Sequence, residues 1–167
     1  MIESRQMPRH VLRPQGDFPP ASLPRRLAAI SYDALLILAL QLITTFLYKL
    51  SQMAFIGEAR LRELSESGAL DGDPLLSSLL LVVTFAFFAK FWTYAGQTLG
   101  MQVWGIRVQN ADGTAISLMQ ALLRFFSAIV SWLCVGLGFI WSLYDKQRLT
   151  WHDRFSGTRL VRIPRRT

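Results

Sequence analysis

The amino-acid sequence predicts an all-α membrane protein. It should have two transmembrane helices, a third apolar segment forming a helical hairpin (or third span), and a small cytoplasmic β-element. Three observations carry this expectation. Apolar residues are gathered into three long blocks separated by polar stretches, in a chain that is 51% hydrophobic with a mean hydropathy of +0.30. The basic residues behind the net charge of +7 lie mostly at the two ends, flanking those blocks, as cytoplasmic charge flanks membrane spans. The third is length: 167 residues suit one ordinary domain and are too few for two comfortable ones.

Residues 1–24 hold several prolines and arginines with little apolar periodicity, which predicts a mostly disordered, basic cytoplasmic tail. The membrane domain should then occupy residues 25–163, with 164–167 as a second basic tail. Pro19, Pro20 and Pro24 precede a helix expected to begin at about Arg25 to Leu27. The apolar block Leu27 to Tyr48 is 22 residues long. At about 1.5 Å per residue it reaches across a hydrocarbon core of roughly 30 Å. It is too long for the core of a secretory leader, so a retained span is expected.

The polar connection 49–74 mixes Lys49, Arg60 and Arg62 with Glu58, Glu63, Glu66, Asp71 and Asp73, and a short amphipathic helix is expected around Glu58–Ser67. Pro74 suits a first helical turn. The second block, Leu75 to Ala95, carries a single charge, Lys90, and ends in aromatics of which Trp92 and Tyr94 suit the headgroup boundary. Beyond it, Gln102–Gln109 is strand-like, Ala111-Asp112-Gly113 supplies a turn, and Thr114–Ile116 is expected to return as a short strand. Thr158–Ile163 has the mixed pattern of a half-exposed strand.

The third block, Met119 to Tyr144, is interrupted by Gly136-Leu137-Gly138. Charge arbitrates between one crossing and a turn. Lysines and arginines number five in 1–26, three in 49–74, one in 96–118 and seven in 145–167. A single crossing divides them six to ten, whereas a turn at the glycines leaves thirteen against three. The second split obeys the preference for basic residues on the cytoplasmic side, and it places both termini there. The hairpin must then be buried against the spans, because backbone exposed to lipid is costly.

Asp33 is the residue that most needs a partner. A carboxylate inside a span costs about 2.5–3.5 kcal/mol on insertion scales, so it faces protein or a water-filled cavity. It lies about 9 Å inside the boundary, Lys90 roughly 7–8 Å from the same boundary, and Arg124 at a similar depth. Asp33, Lys90 and Arg124 are therefore expected to form a buried charge cluster, although Lys90 and Arg124 have stems long enough to reach the interface instead. Arg26, two helical turns before Asp33 on the same face, either anchors the helix among lipid phosphates or binds the folded C-terminal segment.

The neighbouring His152 and Asp153 do not make a catalytic pair by adjacency alone. No spaced triad, zinc-protease signature or phosphate loop accompanies them, so no enzyme is expected. Asp145 and Asp153 are expected to cap helices or to pair with arginines such as Arg148 and Arg154. Cys134 is the only cysteine, which excludes an internal disulfide and a cysteine metal cluster. Neither a metal nor a cofactor is expected. The basic charge comes without a recognition helix or zinc spacing, so nucleic acid is not an expected partner. The expected partners are the lipid bilayer and either a second copy of the chain or another membrane protein.

From about residue 24 to 163 the chain resembles the RDD family of small bacterial membrane proteins, named for an arginine and two aspartates. The resemblance rests on Arg26 and Asp33 in the first span, on Gly96-Gln97-Thr98-Leu99-Gly100, and on Gly105-Ile106-Arg107-Val108. Asp112-Gly113, Ala121-Leu122-Leu123-Arg124 and Thr150-Trp151-His152-Asp153-Arg154-Phe155-Ser156-Gly157-Thr158 continue it. Met101 stands where family members often have lysine. The resemblance implies that Arg26, Asp33 and Asp153 are the family's three residues, with Asp145 as the alternative second aspartate. It also implies a multi-span protein of the bacterial inner membrane, and cation–proton antiport has been proposed for some members. Two functions follow as expectations. One is proton- or cation-linked transport using a buried carboxylate; the alternative is a non-enzymatic membrane scaffold or assembly factor that binds a protein partner.

Overall fold

The computed structural model describes residues 10–68 and 72–164. The outermost parts of the two expected tails, and Asp71 of the polar connection, lie outside the described residues. Among the described residues two single helices are long and apolar enough to cross a membrane: α1 (Leu23–Ile56) and α3 (Pro74–Tyr94). Their large apolar side chains, among them Leu35, Leu42, Phe46 and Val82, are exposed, which suits lipid rather than water. At 34 residues α1 is about 50 Å long, well beyond a core of about 30 Å.

The chain divides into two compact units. The smaller, Ala34–Ala86, holds most of α1, a short helix α2 (Glu58–Glu66) and most of α3. Asp73 caps α3: its Oδ1 accepts from the Leu75 and Leu76 amides at 2.9 and 3.3 Å, and its Oδ2 accepts from the Tyr48 hydroxyl at 2.7 Å. Gln41 donates to Thr84 at 3.3 Å between the two long helices. Within α2 the ion pairs Arg60–Glu63 and Arg62–Glu58 are solvent-exposed and contribute little.

The larger unit comprises the described residues up to Asp33 and those from Phe87 onward. It contains the start of α1, the end of α3, α4 (Leu99–Trp104), β1 (Ile106–Gln109), α5 (Leu118–Leu133), α6 (Leu137–Tyr144), α7 (Trp151–Ser156) and β2 (Arg159–Arg162). Here β1 and β2 pair antiparallel, with Ile106 opposite Arg162 and Gln109 opposite Arg159. Ile106, Val108 and Leu160 on one face, and Val161 on the other, are almost wholly buried.

In three places the structure corrects the local expectations. Gln102–Trp104 is helical rather than extended, because Thr98 caps the start of α4 and Gly105, in the left-handed region at φ 61°, ends it. Thr114–Ile116 does not return as a strand; Thr114 makes one bridge to Val11, and β1 pairs with β2 instead. Residues 10–22 are not the disordered tail that their composition suggests. Ala21 donates to Leu160 O at 2.9 Å and Arg162 donates to Pro19 O at 2.8 Å, so this segment borders β2 like a short extra strand. Leu12 and Ala21 are buried beneath it.

The third apolar block breaks where the glycines lie. Helices α5 and α6 are bent by 98° at the break, the geometry of a broken span or a re-entrant loop. Val135 and Gly136 take left-handed backbone there, at φ 53° and 75°. Gly138 lets α6 approach α5 closely, since a Cβ at this position would be driven into the Ser131 side chain. At the other end of α5, Ser117 and Gln120 form a reciprocal capping box.

Candidate functional site

Two arginines of the larger unit, Arg26 and Arg124, converge on Asp153. The chain reaches this point through Thr150, whose hydroxyl caps α7 while the Asp153 carboxylate accepts from the Thr150 amide at 3.1 Å. Asp153 is therefore fixed at the first turn of a short helix by contacts within its own segment. Its Oδ2 accepts from Arg26 Nη1 at 2.6 Å and its Oδ1 from Arg124 Nη1 at 2.6 Å. All three side chains are buried, with Asp153 fully enclosed.

Both arginines make further contacts. Arg26 Nε donates to Ala21 O at 3.1 Å, and Nη2 donates to Arg148 O at 3.2 Å, at a residue held in left-handed backbone. Arg124 Nη1 also donates to Thr158 Oγ1 at 2.9 Å, and its guanidinium lies 5.4 Å from the centre of the Trp92 ring. Trp92 is thus buried under a cation, not exposed at the headgroup boundary, whereas Tyr94 is 80% exposed. Burial opposes ionisation of Asp153, yet Arg124 and Arg26 together hold its carboxyl well below the usual range. Two cations and one anion leave this core with a surplus positive charge. His152, beside them, is pushed down to about 3 by burial and by Arg124, so it stays neutral against the Phe139 ring, 4.8 Å away.

Asp33 forms a second centre. Its Oδ2 accepts from Thr98 Oγ1 at 2.5 Å and its Oδ1 accepts from the Gly100 amide at 2.9 Å. The carboxylate therefore joins Thr98 at the N-terminus of α4, where unpaired amides favour negative charge. A Cβ at Gly100 would be driven into Ala29 O and would crowd the Asp33 carboxylate. Only glycine lets α4 approach α1 this closely.

The expected cluster of Asp33, Lys90 and Arg124 does not assemble. Arg124 pairs with Asp153, and Lys90 is exposed. Asp33 has no ion pair among the described residues. The reason is that neutral donors, the Thr98 hydroxyl and the Gly100 amide, satisfy both oxygens of Asp33 from nearer at hand. Arg26 is 2% exposed and bound to the C-terminal segment, not anchored among lipid phosphates. Asp145 lies apart from this core: it accepts from the Gln147 and Leu149 amides and pairs with Arg154. The Leu149 amide and the Arg154 guanidinium hold its carboxyl below the ordinary range.

Thr98, Gly100 and Thr158 are site residues that sequence reasoning did not single out. Thr98 carried a signal, since a threonine ahead of a short apolar run is a helix cap. Among the described residues no group of three or more histidine, cysteine, aspartate or glutamate side chains is placed to hold a metal ion.

Two apolar helices of spanning length, joined to a unit with a buried ionic core, define an integral membrane protein. The chain belongs to the RDD family, whose sequence model matches residues 20–157. It is 32% identical over 91 residues to the uncharacterised protein YckC of Bacillus subtilis (strain 168). That match covers 52% of this chain and 59% of the relative, so the chain spans about three fifths of the length of the relative it matches. No solved structure matches the chain.

Proposed function

We propose that this protein is a non-enzymatic scaffold or assembly factor of the bacterial inner membrane, with both termini in the cytoplasm. It binds a membrane-protein partner or a second copy of itself, and not nucleic acid. One observation carries this reading: Arg26, Asp33, Arg124 and Asp153, the buried charges of the helices, are taken up by one another, by threonine hydroxyls and by the backbone. Both oxygens of Asp153 are bound by arginines, three nitrogens of Arg26 have acceptors, and both oxygens of Asp33 have donors. Groups arranged in this way fasten helices, and none is left reaching into a cavity for a proton or cation. The lopsided distribution of lysine and arginine supports the cytoplasmic placement of the termini.

A second reading, proton- or cation-linked transport, is favoured by one feature. Asp33 is a carboxylate within a spanning helix whose partners are neutral, so protonation would not strand a buried cation beside it. Flux through proteoliposomes separates the two. With a pH-sensitive dye inside and sodium or potassium gradients imposed, the scaffold reading expects no cation-dependent proton movement that depends on Asp33. A cation-driven flux that Asp33→Asn abolishes, in a variant that keeps its melting behaviour, would establish transport instead.

A further inference from the structure

The sheet carries a polar arrangement that the ionic core does not use. Arg107 and Gln109 alternate along β1, and Arg159 stands opposite Gln109 in the register, so the three side chains share one face. Arg107 is 1% exposed, Gln109 is fully buried and Arg159 is half-buried. Arg107 Nε and Nη2 both donate to Gln109 Oε1, at 3.0 and 2.6 Å, and Nη2 also donates to Pro14 O at 3.0 Å. The Phe18 ring stacks on the same guanidinium, with its centre 5.4 Å away. Arg159 Nη2 donates to Ala111 O at 2.6 Å.

Three donors remain. Arg107 Nη1, Gln109 Nε2 and Arg159 Nε are buried without a hydrogen-bond partner. All three are N–H groups, two belong to guanidinium ions, and among the described residues Arg107 has no ion pair. Buried polar groups are normally paired, and a buried cation normally has an anion. A face whose unpartnered polar atoms are all donors, and which carries surplus positive charge, is complementary to an oxyanion. A carboxylate presents two oxygens; a phosphate group presents enough to meet three donors, and guanidinium forks suit it.

We propose that this face of β1 and β2, under the segment 14–18, is a binding site for a phosphate group held by Arg107, Gln109 and Arg159. The covering segment is held there by the Pro14 carbonyl and the Phe18 ring. The phosphate belongs either to a free inorganic or small-molecule phosphate or to the headgroup of an anionic phospholipid.

The test uses the full-length protein in neutral phosphatidylcholine nanodiscs. Its melting temperature is measured with inorganic phosphate against chloride at equal ionic strength, and with short-chain phosphatidylglycerol against short-chain phosphatidylcholine. A saturable upward shift is expected, with the midpoint weakened roughly tenfold or more in Arg159→Gln and in Arg107→Gln, as for loss of one charge-assisted hydrogen bond. A shift with inorganic phosphate assigns a free phosphate, and a shift with phosphatidylglycerol alone assigns a lipid headgroup. No shift with either probe overturns the proposal, and so does a shift that both variants retain unchanged. If Arg107→Gln fails to fold, Arg159→Gln decides, because Arg159 is only half-buried.

Discussion

Asp153 and Arg124 meet at 2.6 Å in a fully buried contact, and Arg26 closes on the other oxygen of the same carboxylate. This one carboxylate joins the start of α1, the first half of α5 and the short α7. Its removal leaves two buried guanidinium groups facing each other. Asp153→Asn is therefore expected to cost about 3–5 kcal/mol, the range for breaking a buried ion pair from one side. A large fall in melting temperature and in membrane abundance checks it. An unchanged melting curve would show that the core does not hold these segments together.

Asp33→Asn should be milder. The amide oxygen can still accept from Gly100, while Thr98 must turn its hydroxyl to accept rather than donate. A loss of about 1–3 kcal/mol is expected, with the fold retained. Thermal melting beside the Asp153→Asn variant gives the comparison, and the ranking fails if Asp33→Asn proves the more damaging.

Gly100→Ala tests the close approach of α4 to α1. The added methyl has backbone oxygen on one side and the Asp33 carboxylate on the other, neither of which is a flexible side-chain end. Overpacking of this kind costs typically about 1–3 kcal/mol. A melting temperature equal to that of the unmodified protein would mean that the two helices are free to separate.

Acid stability follows from His152. Its folded pKa lies near 3 against an ordinary 6.5, so the unfolded chain binds a proton that the folded one refuses. The contribution is complete above pH 6.5 and is lost as the pH falls from there towards 3. Asp153 is depressed as well, but its contribution is present above its ordinary 3.8 and is lost only below that value. Between pH 6.5 and about 4 the slope therefore belongs to His152 among the groups of this core. Denaturation of His152→Phe across that interval should show a flatter pH dependence than the unmodified protein; an equal slope would mean that His152 takes up its proton in the folded state.

The spans were legible in the sequence because a run of apolar residues long enough to cross a bilayer is a local property. So was the break in the third block, since Gly136 takes backbone that other residues adopt only under strain. The pairing of Arg26 with Asp153 was not, because the partners stand 127 positions apart and no periodicity links them. Formal charge and depth point Asp33 towards Lys90 and Arg124 and give no sign of its neutral donors, Thr98 and the Gly100 amide. Composition misled at residues 10–22: prolines and arginines look like a tail, but Pro19 and Ala21 bond to β2, Leu12 bonds to Gly113, and both Leu12 and Ala21 are buried. The alternation in Gln102–Trp104 is compatible with a strand, and only its flanking caps reveal a helix of six residues.

Whether the buried charges fasten the larger unit is decided by a double-mutant cycle on Arg124 and Asp153. Melting is measured for Arg124→Met, Asp153→Asn, and the two together. Strong non-additivity is predicted: each single change is severe, and the double variant is more stable than their sum by at least about 1 kcal/mol, because it removes one of the two stranded cations. Effects that add within about 0.5 kcal/mol would contradict the account, since residues in contact through one buried carboxylate cannot behave as independent sites.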